Sequence, residues 1–72
     1  MERVSVESSN LSAIGYDDES QVLEVEFRRG AVYRYFEVER VAYENLLKAE
    51  SVGKAFNAII KGGGYSYRRV EQ

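Results

Sequence analysis

The sequence predicts an α+β fold, a small antiparallel three-stranded meander packed on one face by two helices, with a C-terminal strand as an optional addition. Three observations carry this. Apolar and polar residues alternate strictly over Val22–Phe27 and a β-prone run resumes after Gly30. The apolar period then lengthens to about 3.6 after Val38, in two successive stretches. Finally, three consecutive glycines, Gly62–Gly64, separate those stretches from a last alternating segment.

The first strand is expected over Leu11–Tyr16, closed by the turn-prone Asp17-Asp18-Glu19-Ser20. In the second, Leu23, Val25 and Phe27 share one face and Glu24 and Glu26 the other. The third is Ala31–Phe36. A two-residue type I′ loop between them would need positive φ at Arg29 as well as at Gly30, whereas a three-residue loop with a bulge needs it only at the glycine. The three-residue loop is therefore expected. It sets Phe27 opposite Ala31, Val25 opposite Tyr33 and Leu23 opposite Tyr35, with Glu24 facing Arg34 on the reverse side. That reverse face would carry Val22, Glu24, Glu26, Val32, Arg34 and Phe36, with the two glutamates facing solvent.

The first helix runs over Glu39–Ala49, with Ala42, Tyr43, Leu46 and Leu47 along one stripe. Ser51 is placed to cap a second, in which Val52, Ala55, Phe56, Ile59 and Ile60 recur at helical spacing. Tyr65–Val70 alternates and is open between a further strand and a surface tail.

At 72 residues the chain has room for one core of modest stability. It has no cysteine and no histidine, which excludes disulfides, thiolate chemistry, Cys-based metal sites and Ser–His catalysis. No cofactor is implied. Asp17-Asp18-Glu19 reads as a solvated turn, and Gly62–Gly64 follows a helix instead of preceding one, unlike a phosphate loop. No run approaches a membrane span, so a soluble cytoplasmic protein without membrane partners is expected. Net charge is −2, but residues 1–27 hold seven acidic residues against Arg3 alone, a sum of −6, which leaves +4 to residues 28–72. Lys54, Lys61, Arg68 and Arg69 have no acidic neighbour between Ser51 and Val70. Tyrosines stand beside arginines in Tyr33-Arg34-Tyr35 and Tyr65-Ser66-Tyr67-Arg68-Arg69, the combination that single-stranded nucleic-acid binders use for stacking and phosphate contacts. The register assigns Tyr33 and Tyr35 mainly to the core.

Ser8-Ser9-Asn10, Ile14-Gly15-Tyr16-Asp17, Leu23–Phe27, Gly30, Val32–Tyr35, Phe56 and Tyr67–Val70, in this order and spacing, resemble the KTSC domain. This family is named for the C-terminus of some lysyl-tRNA synthetases and also occurs as small stand-alone bacterial proteins. Arg29 departs from the Asn-like turn residue expected there, and Glu39 from a frequent proline. The resemblance implies a single domain over residues 1–72, with a core at about 8–61 and a tail at 62–72. It also implies RNA binding, with tRNA the first candidate, and carries over no catalytic residue. The expected function is a non-catalytic RNA-binding domain. Its candidate residues are Arg34, Lys54, Lys61, Arg68 and Arg69 for phosphates and Phe36, Tyr65 and Tyr67 for bases. The alternative is a protein-interaction or self-association module, a homodimer included, using the open sheet face or a sheet edge.

Overall fold

The computed structural model describes residues 2–70. Five antiparallel strands follow one another in sequence and in space: β1 (Arg3–Ser5), β2 (Leu11–Asp17), β3 (Val22–Phe27), β4 (Val32–Tyr35) and β5 (Tyr67–Val70). Between β4 and β5 the chain forms α1 (Arg40–Lys48) and α2 (Val52–Ala55), the latter continuing without a break as a π-helical segment, Phe56–Lys61.

The hairpin register is the expected one. Leu23 faces Tyr35, Val25 faces Tyr33 and Glu24 faces Arg34, and the Phe27 N–H donates to the Ala31 carbonyl at 2.8 Å. Gly30 alone in that loop takes positive φ, at +101°. A bulge in β2 between Leu11 and Ala13 turns Leu11 and Ile14 to the same face despite their odd spacing. Both are fully buried there, with Leu23, Val25, Tyr35, Val38, Ala42, Leu46, Val52, Phe56 and Ile60.

The helices cover this face as their stripes require. The Ser51 hydroxyl accepts from the Lys54 N–H at 3.2 Å, capping α2. Within the π-helical segment the Gly62 N–H reaches back five residues to the Asn57 carbonyl at 3.0 Å. Leu47 departs from its expected place, being 44% exposed at the margin of the α1 stripe. Tyr16 stacks on Tyr43 with ring centroids 5.1 Å apart, and its hydroxyl donates to the Val38 carbonyl at 2.6 Å.

Two sequence expectations need correction. The sheet has five strands: Tyr67–Val70, open between strand and tail in the sequence, returns as a strand, and β1 is an addition, because the three residues Arg3-Val4-Ser5 are too few to signal a strand by alternation. The second correction follows from the first. With β1 in place, Arg3 reaches across β2 from one side and Arg34 from the other, so Glu24 on the helix-free face is only 3% exposed instead of solvated. Val32, on the same face, is 2% exposed.

Candidate nucleic-acid interface

In-register partners across all five strands place Arg3, Gly15, Glu24, Arg34 and Arg68 in one row on the helix-free face. Gly15 has no side chain to obstruct the row. A Cβ there would lie 2.5 Å from the Glu2 carbonyl oxygen and 3.3 Å from Arg3, so glycine lets Arg3 cross β2. Its Nε donates to Glu24 Oε1 at 2.7 Å, and the Arg34 Nε donates to Oε2 at 2.7 Å from the other side. Burial opposes ionisation of Glu24, but the hydrogen bonds from Arg34 and Arg3 outweigh it and hold the carboxyl below its ordinary range. Arg34 is therefore a partner of Glu24 first, and only its outer edge faces solvent. With Phe36, Arg68, Arg69 and Val70 it lines a shallow depression of about 430 Å³.

A different group assembles on the helix side. Strands alternate their faces, so Tyr33, Tyr35 and Tyr67 point there in adjacent positions. Tyr35 lies beneath, edge-on to Phe56 at 5.6 Å, and its hydroxyl pKa is raised by burial and by the neighbouring Tyr67 and Tyr33. Tyr33 is half-buried and Tyr67 is 63% exposed, with ring centroids 5.9 Å apart. The helices do not reach this far along the sheet. What remains is a groove of about 420 Å³ between the hairpin tip and the π-helical segment, lined by Phe27, Arg29, Tyr33, Lys61, Tyr65 and Tyr67 around Tyr35 and Ile60. A second hollow of about 320 Å³ adjoins it through the shared residues Phe27, Arg29 and Lys61, and is completed by Ser9, Asn10, Leu11, Arg28, Gly53, Phe56 and Asn57. No carboxylate lines either hollow. Among the described residues neither Arg29 nor Lys61 pairs with one. The Lys61 ammonium instead sits 5.9 Å from the centre of the Phe56 ring.

The structure thus divides the residues singled out from sequence. Lys61, Tyr65 and Tyr67 meet in the groove, Arg34, Phe36, Arg68 and Arg69 meet around the other depression, and Lys54 lines neither. Arg29, Phe27 and Tyr33 belong to the groove and were not among the sequence candidates. Arg29 sits at a turn and Phe27 and Tyr33 on the core side of the hairpin, positions that by themselves signal structure. The one available signal was that Tyr33 outreaches the core, a ring with a polar tip on an outer strand.

The class this defines is a small α+β domain with a five-stranded antiparallel sheet covered on one face, bearing an aromatic and basic groove at the end of its helical layer. No helix among the described residues is long and apolar enough to cross a membrane. The KTSC domain family model matches residues 7–67, and the chain belongs to that family. The crystal structure of a KTSC domain protein from Yersinia pestis superposes with a TM-score of 0.90 at 37% identity, covering 97% of each chain. An uncharacterised protein of Stutzerimonas stutzeri is 46% identical over 71 residues, 99% of this chain and all of that protein. The chain is also 41% identical over 56 residues to a lysine–tRNA ligase of Nostoc punctiforme, which covers 78% of this chain and 10% of that protein. The domain therefore occurs both in small proteins and as a minor part of a much longer synthetase.

Proposed function

We propose that this protein is a non-catalytic RNA-binding domain and that the groove between the hairpin tip and the π-helical segment takes single-stranded RNA, such as the unpaired parts of a tRNA. The observation that carries this is the groove's composition: Tyr33, Tyr65, Tyr67 and Phe27 offer ring faces and edges beside the cations of Arg29 and Lys61, with no carboxylate among them. Stacking on tyrosine is tolerant of base identity, and cations beside it neutralise the backbone, which is the working combination of single-strand binders. The occurrence of the domain in lysine–tRNA ligases supports tRNA as the RNA concerned. Strand addition at the free edge of β5 is the rival reading, because an edge strand leaves backbone donors and acceptors open. Adjacent Arg68 and Arg69 argue against it for self-pairing, since two copies of that edge would bring like charges together.

The test is a ¹⁵N chemical-shift titration with tRNA at low salt. Shifts at Arg29, Lys61, Tyr65 and Tyr67 are expected, with binding that weakens steeply as salt rises. Contacts from Arg29 and Lys61 correspond to a slope of about −1.4 in log K against log salt, at roughly −0.7 per phosphate for single strands. Absence of any shift at low salt refutes the proposal, and shifts confined to Arg34, Phe36 and Arg68 refute the groove as the site.

A further inference from the structure

The hollow adjoining the tyrosine groove differs from it in chemistry. The half-buried Phe27 gives the hollow an apolar wall, meeting Phe56 edge-on with centroids 5.8 Å apart, while Leu11 and Phe56 are buried behind it. Its rim carries two carboxamides, Asn10 and Asn57. Both residues are held through their backbones. The Asn10 N–H donates to Ser8 Oγ at 3.2 Å and its carbonyl accepts from the Arg28 N–H at 2.8 Å, while the Asn57 carbonyl accepts from Gly62. Neither side-chain amide has a hydrogen-bond partner in the described residues, and both residues are exposed. An apolar ring beside two unpartnered amides, each able to donate and accept, suits the edge of a nucleobase.

Resting on the RNA reading above, we infer that this hollow receives the base of one unpaired nucleotide and reads its edge through Asn10 and Asn57. The connection to the groove supplies the geometry. Arg29 and Lys61 line both spaces, so a phosphate held between them joins a base in the hollow to a neighbour stacked on Tyr67 and Tyr33. Sequence-tolerant stacking and sequence-selective reading are then consecutive steps along one strand. The volume of about 320 Å³ suits a single nucleoside.

The experiment measures binding of homopolymeric RNAs of about eight nucleotides, a length within the span of a small single-strand site, for oligo-U, oligo-A and oligo-C. It compares the wild type with the Asn10→Ala/Asn57→Ala double variant, with melting temperatures as the control for folding. The wild type is expected to separate the best from the worst oligomer by about tenfold, the discrimination typical of an amide paired to a base edge. The double variant is expected to bind all of them within about twofold while keeping its salt dependence and its melting temperature. A wild-type spread under about threefold, or a spread that survives in the double variant, overturns the inference and leaves the RNA reading standing. Failure of the wild type to bind any oligomer or tRNA overturns both.

Discussion

Replacing Glu24 with glutamine tests the row of charges that ties the sheet together. The wild-type carboxylate is 3% exposed and accepts from Arg3 and from Arg34 at 2.7 Å each. In Glu24→Gln the acceptor's negative charge is lost from both bonds, and the amide NH₂ turns a donor toward one of the two guanidinium donors. Hydrogen bonds to charged groups contribute about 1.5–3 kcal/mol each when buried. The arginine side chains are 35% and 46% exposed, so solvent screens and partly replaces both interactions. The net loss expected is about 2 kcal/mol, which lowers Tm by about 8–16 °C in a domain of this size. Thermal melts followed by circular dichroism at neutral pH measure it. The pH dependence supplies a second, sharper check. The folded-state pKa of Glu24 lies below its ordinary value near 4.5, so its contribution is fully present above that value and is lost as pH falls through the lowered one. Wild type and variant must therefore converge in acid. A neutral-pH difference under about 0.5 kcal/mol, or one that persists unchanged to pH about 3, refutes the role assigned to this residue.

Tyr67→Ala should weaken RNA binding about 5- to 100-fold, the equivalent of one base–aromatic stack. Its Tm should change little because Tyr67 is 63% exposed, and fluorescence anisotropy with a labelled oligonucleotide measures the affinity. Lys61→Gln should reduce the magnitude of the salt slope by about 0.7, one phosphate contact, in the same assay repeated over a range of salt concentrations. Gly15→Ala should cost about 1–3 kcal/mol in urea denaturation, because its methyl would meet the Glu2 carbonyl oxygen at 2.5 Å and push β1 away. Hydrogen exchange in that variant should accelerate in β1 and at its β2 partners Ala13–Gly15, and leave β4 protected.

The hairpin, both helices and the Glu24–Arg34 pairing could be read from the chain because each depends on interactions between residues close in sequence. Alternation places Leu23 and Val25 on one face, the steric demand for positive φ at a glycine selects Gly30, and together they determine which residue faces which. The helical stripe from Val52 to Ile60 and its Ser51 cap are equally local. The same locality explains what stayed hidden. Nothing in Arg3-Val4-Ser5 distinguishes a strand from a polar terminus. Its partner is β2, and the contact that holds it passes over Gly15 to a glutamate 21 residues away. An alternating strand does not state which side chains cross onto it from other strands, so Glu24 reads as solvated until Arg3 and Arg34 are placed over it.

The groove is a product of tertiary structure altogether. It draws Phe27, Arg29 and Tyr33 from the hairpin, Lys61 from the end of the π-helical segment and Tyr65 and Tyr67 from beyond the glycines. Sequence singled out Tyr65, Tyr67 and Lys61 by type, along with Arg34, Phe36, Arg68 and Arg69, which line a separate depression. By itself the sequence determined the elements, the hairpin register and the family of this protein, since these rest on short-range periodicity and on the order of motifs. Only the folded chain decided that Glu24 is buried and that two hollows join at Arg29 and Lys61. Burial and concavity depend on which distant segments pack side by side, and no local pattern encodes that.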